Sequence, residues 1–195
     1  MLRRYGFFGL LKLIRSLVYT KLFFSQARLI RLPFDIRNKK YIKIGANFTT
    51  GFGCRLEAYP LDESVVLKLG KNVQINDYVH ISAMKGVIIG DNVLIASKVF
   101  ISDLNHGSYG ANDIHDSPNI PPNDRKLHAA SIIIEENVWL GETVCVLGGV
   151  TIGKGTIVGA NSVVAKSLPP YVIAVGAPAK PVKKYNFENG KWERV

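Results

Sequence analysis

The sequence predicts an all-β fold, a solenoid of short strands wound as a parallel β-helix, and three observations predict it. In the stretch 134–164, Ile134, Leu140, Val146, Ile152, Val158 and Val164 recur at every sixth position. A period of six is neither the 3.6 of an amphipathic helix nor the 2 of a half-exposed strand. Several of these aliphatics are followed at once by a small or acidic residue, in the pairs Ile134-Glu135, Leu140-Gly141, Ile152-Gly153 and Val158-Gly159. Small residues allow the backbone to bend at tight corners. The same punctuation returns upstream at Ile44-Gly45-Ala46-Asn47-Phe48, Leu69-Gly70-Lys71-Asn72-Val73 and Ile89-Gly90-Asp91-Asn92-Val93, and the sixfold spacing continues through Leu69, Ile75 and Ile81 and through Ile89, Ile95 and Ile101. Three hexapeptides make one triangular turn with the aliphatic residue pointing inward, and a fixed period of this sort outranks other cues.

The first segment, residues 1–34, carries Arg3, Arg4, Lys12, Arg15, Lys21, Arg28 and Arg31 and no acidic residue. On a helical wheel Leu10, Leu13, Ile14, Leu17 and Val18 share one face while Lys12, Arg15 and Tyr19 lie opposite, which predicts a basic amphipathic helix. Lys21 returns toward the apolar face, so the helix is expected to end or kink nearby. Its charge-free run is far shorter than the roughly 20 apolar residues needed to cross a bilayer. Two readings stand beside each other: the helix packs on the end of the solenoid or on a neighbouring subunit, or it lies on an anionic membrane surface.

Pro33 opens an extended passage, and the β-helix is expected over residues 35–165, with the first recognisable coil at residues 41–44. Residues 58–64, with Pro60, Asp62 and Glu63, interrupt the period and predict a corner excursion. A second interruption, residues 103–130, is rich in Asn, Asp, Pro and Gly and holds three of the four histidines, His106, His115 and His128. A long loop ejected from a rigid solenoid is a typical carrier of function. The coils resume at Ile132. Residues 166–195, with Pro169-Pro170, Gly176, Pro178 and the lysines Lys180, Lys183 and Lys184, read as a turn into a capping tail.

A length of 195 residues suits one domain, and 47% hydrophobic residues are ample for a narrow core column. Cys54 and Cys145 are far apart and lack metal-ligand spacing, which argues against a zinc site and supports no disulfide. No signal peptide is evident, since Lys12, Arg15 and Lys21 break the first apolar segment. A cytoplasmic protein, with the inner face of a membrane as a further address, is the expectation. The net charge of +10 invites a nucleic-acid partner, but no nucleic-acid module accompanies it. No nucleic-acid partner is expected.

These residues bring a family into view. The motifs Ile89-Gly-Asp-Asn-Val, Asn137-Val-Trp-Leu-Gly141 and Val175-Gly-Ala-Pro-Ala-Lys180 resemble those of the hexapeptide-repeat, left-handed β-helix acyltransferases. The resemblance covers residues 42–184. Within that superfamily the chain looks most like sugar O-acetyltransferases that decorate O-antigen and capsular polysaccharides, with maltose and galactoside acetyltransferases as close relatives. The resemblance implies acetyl-CoA as co-substrate, no metal, a carbohydrate acceptor, and a homotrimer with active sites between subunits.

It also implies roles residue by residue. His106, which follows a coil and opens the loop, matches the catalytic histidine, and a histidine suits a base that must work near neutral pH. Gly107 stands where maltose-type relatives have Pro, which leaves the loop conformation open, and either Asp103 or Asn105 is a candidate to orient the imidazole. Asn76, thirty positions earlier, matches the Asn that contacts the acceptor hydroxyl. Trp139, in the motif that ends at Gly141, matches an aromatic beside the pantetheine, and the backbone N–H of Glu142 sits where relatives place an oxyanion donor. Gly159, Ala160, Ala165 and Lys166 match the acetyl-CoA groove. Lys166, Lys180 and Lys183 are candidates for the nucleotide phosphates. His115 and His128 match no family role, and His80, within a coil, reads as structural. Two other activities fit the pattern: acetylation of a soluble small molecule such as a free sugar or antibiotic, and a non-catalytic or carbonic-anhydrase-like scaffold. The latter uses histidine ligands, for which only His80 and His106 are candidates.

Overall fold

The computed structural model describes residues 2–110 and 113–195; Met1, Ala111 and Asn112 lie outside the described residues, as do the side chains of Leu2, Arg3 and Arg4. The cationic groups expected at Arg3 and Arg4 are therefore among those not described. The chain is mostly β, with one long helix, Leu2–Phe23, interrupted at Gly6.

The repeat builds three stacks of parallel strands. Sheet I contains Ile42–Ile44, Leu67–Leu69, Val87–Ile89, Ile132–Ile134 and Thr151–Ile152. Sheet II begins with Thr49–Thr50, Gln74–Ile75, Leu94–Ile95, Trp139–Leu140 and Ile157–Val158. Sheet III holds Phe34–Arg37, Cys54–Ala58, His80–Ala83, Phe100–Ser102, Cys145–Val146 and Val163–Val164. From residue 42 to 102 the chain visits sheets I, II and III in that order three times, and from 132 to 164 twice more.

The six-residue period becomes three columns. Leu69, Ile89, Ile134 and Ile152 are in register in sheet I, Ile75, Ile95, Leu140 and Val158 in sheet II, and Ile81, Ile101, Val146 and Val164 in sheet III. All twelve are buried. Each buried aliphatic contributes about 1.5 to 3 kcal/mol, so stability is distributed along the stack. Cys54 is also fully buried, and its thiol donates to the Asn76 carbonyl at 2.9 Å. Burial pushes that thiol up to about 11.

The punctuation acts at the corner between sheets I and II. Asn47, Asn72, Asn92 and Asn137 all take the left-handed conformation there, one that Asn tolerates better than most residues. At Gly45 a Cβ would lie 2.3 Å from the Gly70 carbonyl oxygen of the next coil, so the stack cannot close over a larger residue.

The helix departs from the wheel. Its docked side is Gly9, Leu13, Ser16 and Thr20, of which Ser16 and Thr20 are buried, while Ile14, Leu17 and Val18 are exposed. The reason is hydrogen bonding. Thr20 Oγ1 accepts from the Ile30 N–H at 2.8 Å and Ser16 Oγ accepts from the Leu32 N–H at 3.2 Å, which an aliphatic stripe could not do. Tyr19, on the polar side of the wheel, packs against the core beside Phe24. The helix ends two residues beyond Lys21, where the Lys39 ammonium donates to the Phe23 carbonyl at 2.9 Å. No described helix is long and apolar enough to cross a membrane.

The tail does more than turn. Val172–Val175 joins sheet II in parallel, then Lys180–Asn186 and Lys191–Arg194 extend that sheet antiparallel.

Candidate active site

The interruption at residues 103–130 leaves the corner between sheets III and I, and Asp103 anchors it. This fully buried carboxylate accepts three backbone N–H groups of the preceding coil, Met84 and Lys85 at 2.8 Å and Gly86 at 2.7 Å. Its own carbonyl accepts the Ala130 N–H at 2.8 Å, which closes the base of the loop. Between these ends Leu104–His106 pairs antiparallel with Leu127–Ala129, setting Asn105 opposite His128. Asp103 is fully engaged with backbone and does not orient the imidazole.

That task falls to a main-chain group. His106, exposed at the end of its strand, has Nδ1 3.2 Å from the Pro122 carbonyl oxygen. A carbonyl only accepts, so this contact assigns the proton to Nδ1 and leaves Nε2 with a free lone pair. The next turn holds the backbone of His106 in place. Tyr109 donates its hydroxyl proton to the His106 carbonyl at 2.5 Å, Arg125 Nη1 donates to the Tyr109 hydroxyl at 2.7 Å, and Arg125 Nε donates to the Ile120 carbonyl at 2.9 Å. Gly107 has φ of +110°, which proline's ring cannot reach. The loop therefore follows a different path from one with Pro at this position.

The other residues singled out in the sequence fall into two groups. Ala165 and Lys166 are exposed at the corner between sheets III and I, the corner that ejects the His106 loop. Asn76, Gly141, Glu142, Gly159 and Ala160 lie at the corner between sheets II and III, stacked coil upon coil. Asn76 is half-buried, and its Oδ1 accepts from Gln74 Nε2 at 3.1 Å. Trp139 projects from sheet II between Leu94 and Ile157 and is 48% exposed. The Glu142 N–H has no acceptor among the described residues, and its side chain lies 3.9 Å from the Lys98 ammonium. Lys180 pairs with Val175, whose side chain lies over Gly159, and Lys183 pairs with Ile173 of the same sheet. A single chain thus sets Ala165 and Lys166 on the corner from which the histidine's loop departs, and Asn76 and Glu142 on a different corner.

Other groups escaped the sequence. Glu57, on the outer side of sheet III, is buried and accepts from His80 Nε2 at 2.8 Å, while Arg55 Nη2 donates to His80 Nδ1 at 3.1 Å and Arg37 lies 3.2 Å from the carboxylate. Burial pushes the Glu57 carboxyl up, yet the hydrogen bond from His80 and the charges around it outweigh burial and hold it below the usual carboxylate range. His80 packs on the Phe100 ring, 5.2 Å between centroids, so its part is in the coil. The Pro122 carbonyl carries no side-chain signal, and Tyr109 and Arg125 announce themselves only through the fold. His115 stays exposed beside Asp113. Among the described residues no group of three or more His, Cys, Asp and Glu side chains is arranged to hold a metal ion.

Comparison with known proteins agrees with this architecture. The family described as "Bacterial transferase hexapeptide (six repeats)" matches residues 131–166. The Escherichia coli (strain K12) protein named "Putative lipopolysaccharide biosynthesis O-acetyl transferase WbbJ" is 48% identical over 193 residues, covering 99% of this chain and 97% of that protein. The galactoside O-acetyltransferase of the same organism is 34% identical over 120 residues, 62% of this chain and 55% of the relative. Among solved structures, a variant of AntD, an N-acyltransferase from Bacillus cereus, in complex with dTDP-4-amino-4,6-dideoxyglucose and coenzyme A, superposes with a TM-score of 0.68 at 25% identity over 85% of this chain and 84% of its own. With a relative this similar along nearly its whole length, the repeat and the family agree, and the chain belongs to the bacterial hexapeptide-repeat transferases.

Proposed function

We propose that this chain transfers an acetyl group from acetyl-CoA to a sugar hydroxyl of a surface polysaccharide or its lipid-linked precursor. The observation that carries the reading is the His106 imidazole, with Nδ1 committed to the Pro122 carbonyl and Nε2 free at the exposed end of a strand. In this role His106 Nε2 removes the proton from the acceptor hydroxyl as its oxygen attacks the thioester carbonyl. The Glu142 N–H donates to the oxygen that becomes negative. His106 then returns the proton to the departing thiol, and Asn76 holds the acceptor. Trp139, Gly141, Gly159, Ala160, Ala165 and Lys166 line the acetyl-CoA groove, with Lys166, Lys180 and Lys183 for its phosphates.

The separation of these residues into two corner groups supports a left-handed, three-sided prism that works as a homotrimer. The loop and III–I corner of one subunit then face the II–III corner of the next, and each active site lies between subunits. Such an enzyme acting on a lipid-linked glycan meets its acceptor at the inner face of a membrane.

The test is mass spectrometry of candidate glycans incubated with acetyl-CoA and the protein, beside sedimentation of the protein alone. Gain of one acetyl group on a polysaccharide repeat or its lipid-linked form supports the reading. Acetylation confined to small soluble sugars or antibiotics would replace the acceptor class, and full activity in a sedimenting monomer would remove the shared site.

A further inference from the structure

Among the described residues, the helix docks one side on its own chain and leaves the opposite side exposed. Gly9, Leu13, Ser16 and Thr20 are docked. Phe7, Leu11, Ile14, Val18 and Leu22 recur at intervals of four and three residues and are all exposed, Phe7 by 64% and Leu22 by 71%. At about 100° per residue the centre of this apolar stripe lies roughly 190° from the centre of the docked one. Arg15 and Lys21 sit about 60° to either side of the apolar stripe, and both are exposed. Long basic side chains flanking an apolar stripe reach from the acyl boundary to anionic headgroups.

We propose that this stripe is a membrane-docking surface on which the protein lies flat against an anionic bilayer, Phe7, Leu11, Ile14, Val18 and Leu22 entering the headgroup boundary and Arg15 and Lys21 pairing with lipid phosphates. Charge selects this occupant over a second copy of the helix. Residues 1–34 hold seven cations and no acid, so two such helices face to face bring like charges together, whereas the inner leaflet offers the complementary sign. The helix is held at its orientation by Ser16 and Thr20, so the stripe points outward without rearrangement. The inference deepens the membrane address in the proposed function and rests on it for its purpose, but not for its test.

The experiment is co-sedimentation of the full-length protein with vesicles of phosphatidylcholine alone or with about one-third phosphatidylglycerol, at low and high salt, without acetyl-CoA or glycan. Binding is expected to the anionic vesicles at low salt, to weaken at high salt, and to be weak on phosphatidylcholine. Arg15→Gln and Lys21→Gln should each weaken it about fivefold. Leu11→Ser with Val18→Ser, both exposed, should abolish stable binding and leave the circular dichroism and oligomer size unchanged. Full-length protein that ignores anionic vesicles at low salt overturns the proposal. So does Leu11→Ser with Val18→Ser if it dissociates the oligomer and leaves vesicle binding intact, since the stripe then belongs to an interface between copies. Either result leaves the transferase reading standing, because glycan acetylation is measured separately with soluble acceptor.

Discussion

Arg125 donates to the Tyr109 hydroxyl at 2.7 Å, and that hydroxyl in turn donates to the main-chain carbonyl of His106, so the guanidinium steadies the histidine through a relay. Tyr109→Phe removes both the hydrogen bond accepted from Arg125 and the one donated to the His106 carbonyl, the latter worth about 1 kcal/mol to the histidine's placement. It should lower kcat roughly fivefold, with KM for acetyl-CoA nearly unchanged. Arg125→Met also frees the Ile120 carbonyl and should cost kcat about tenfold to a hundredfold through misplacement of the base. Steady-state kinetics of both variants, with equal losses in KM and kcat, would disprove a positioning role.

His106→Ala should reduce turnover by about 100-fold to 10,000-fold, the usual range for a general base. The side chain is exposed and outside the core columns, so the melting temperature should stay within a degree or two of the parent. Activity within a few-fold of the parent would remove His106 from the reaction.

Asp103→Asn should be among the costliest changes in the loop. The carboxylate serves three N–H groups with two oxygens, whereas an amide offers one acceptor and turns its NH2 toward a donor. A loss of about 2 kcal/mol or more is expected in urea unfolding, together with a fall in activity as the base of the hairpin loosens. An unchanged unfolding midpoint would mean that the loop is anchored elsewhere.

Glu57 gives a pH signature of stability. Its carboxyl is held below the usual range, so the contribution is fully present above about pH 4.3 and is lost as pH falls through the lower folded-state value. Glu57→Gln, which keeps the shape and removes the charge, should destabilise the protein by about 1 to 3 kcal/mol at pH 7. The gap between parent and variant should narrow as pH drops below about 4.3. Melting curves from pH 7 to pH 3 check this, and a gap that widens on acidification would refute it.

The periodic part of the fold was legible because every sixth aliphatic obeys one rule, burial in a shared column, and Ile75, Ile95, Leu140 and Val158 follow it in register. The helix is legible in the sequence as a helix, but which of its sides docks on the chain is not. Its hydrophobic wheel weighed Leu17 and Val18 above Ser16 and Thr20, but the docked surface was decided by two backbone N–H groups in need of acceptors. In the loop, His106 could be picked out through family resemblance, whereas its orienting partner is the carbonyl of Pro122, which any residue would supply. Nearness in sequence makes Asp103 and Asn105 equal candidates to orient the imidazole, but the Asp103 carboxylate is spent on the coil below. The tail's antiparallel strands lie outside the hexapeptide rule, so no period foretold them.

A stack of parallel strands has no intrinsic length, since its last coil presents the same hydrogen-bonding edge as every coil before it. In this chain Pro169 and Pro170 follow the final sheet I bridge at Leu168, and a proline has no N–H to offer. Sheet II ends instead in a hairpin that reverses at Lys180–Asn186 and again at Lys191–Arg194, with Lys183 and Lys184 opposite Arg194 and Glu193. An incoming molecule that tried to add its first coil would meet missing donors on one side and the charged edge of a hairpin on another. The reversal at residues 176–179 therefore acts as a chain terminator for self-assembly, keeping a fold that is built like a fibril from becoming one.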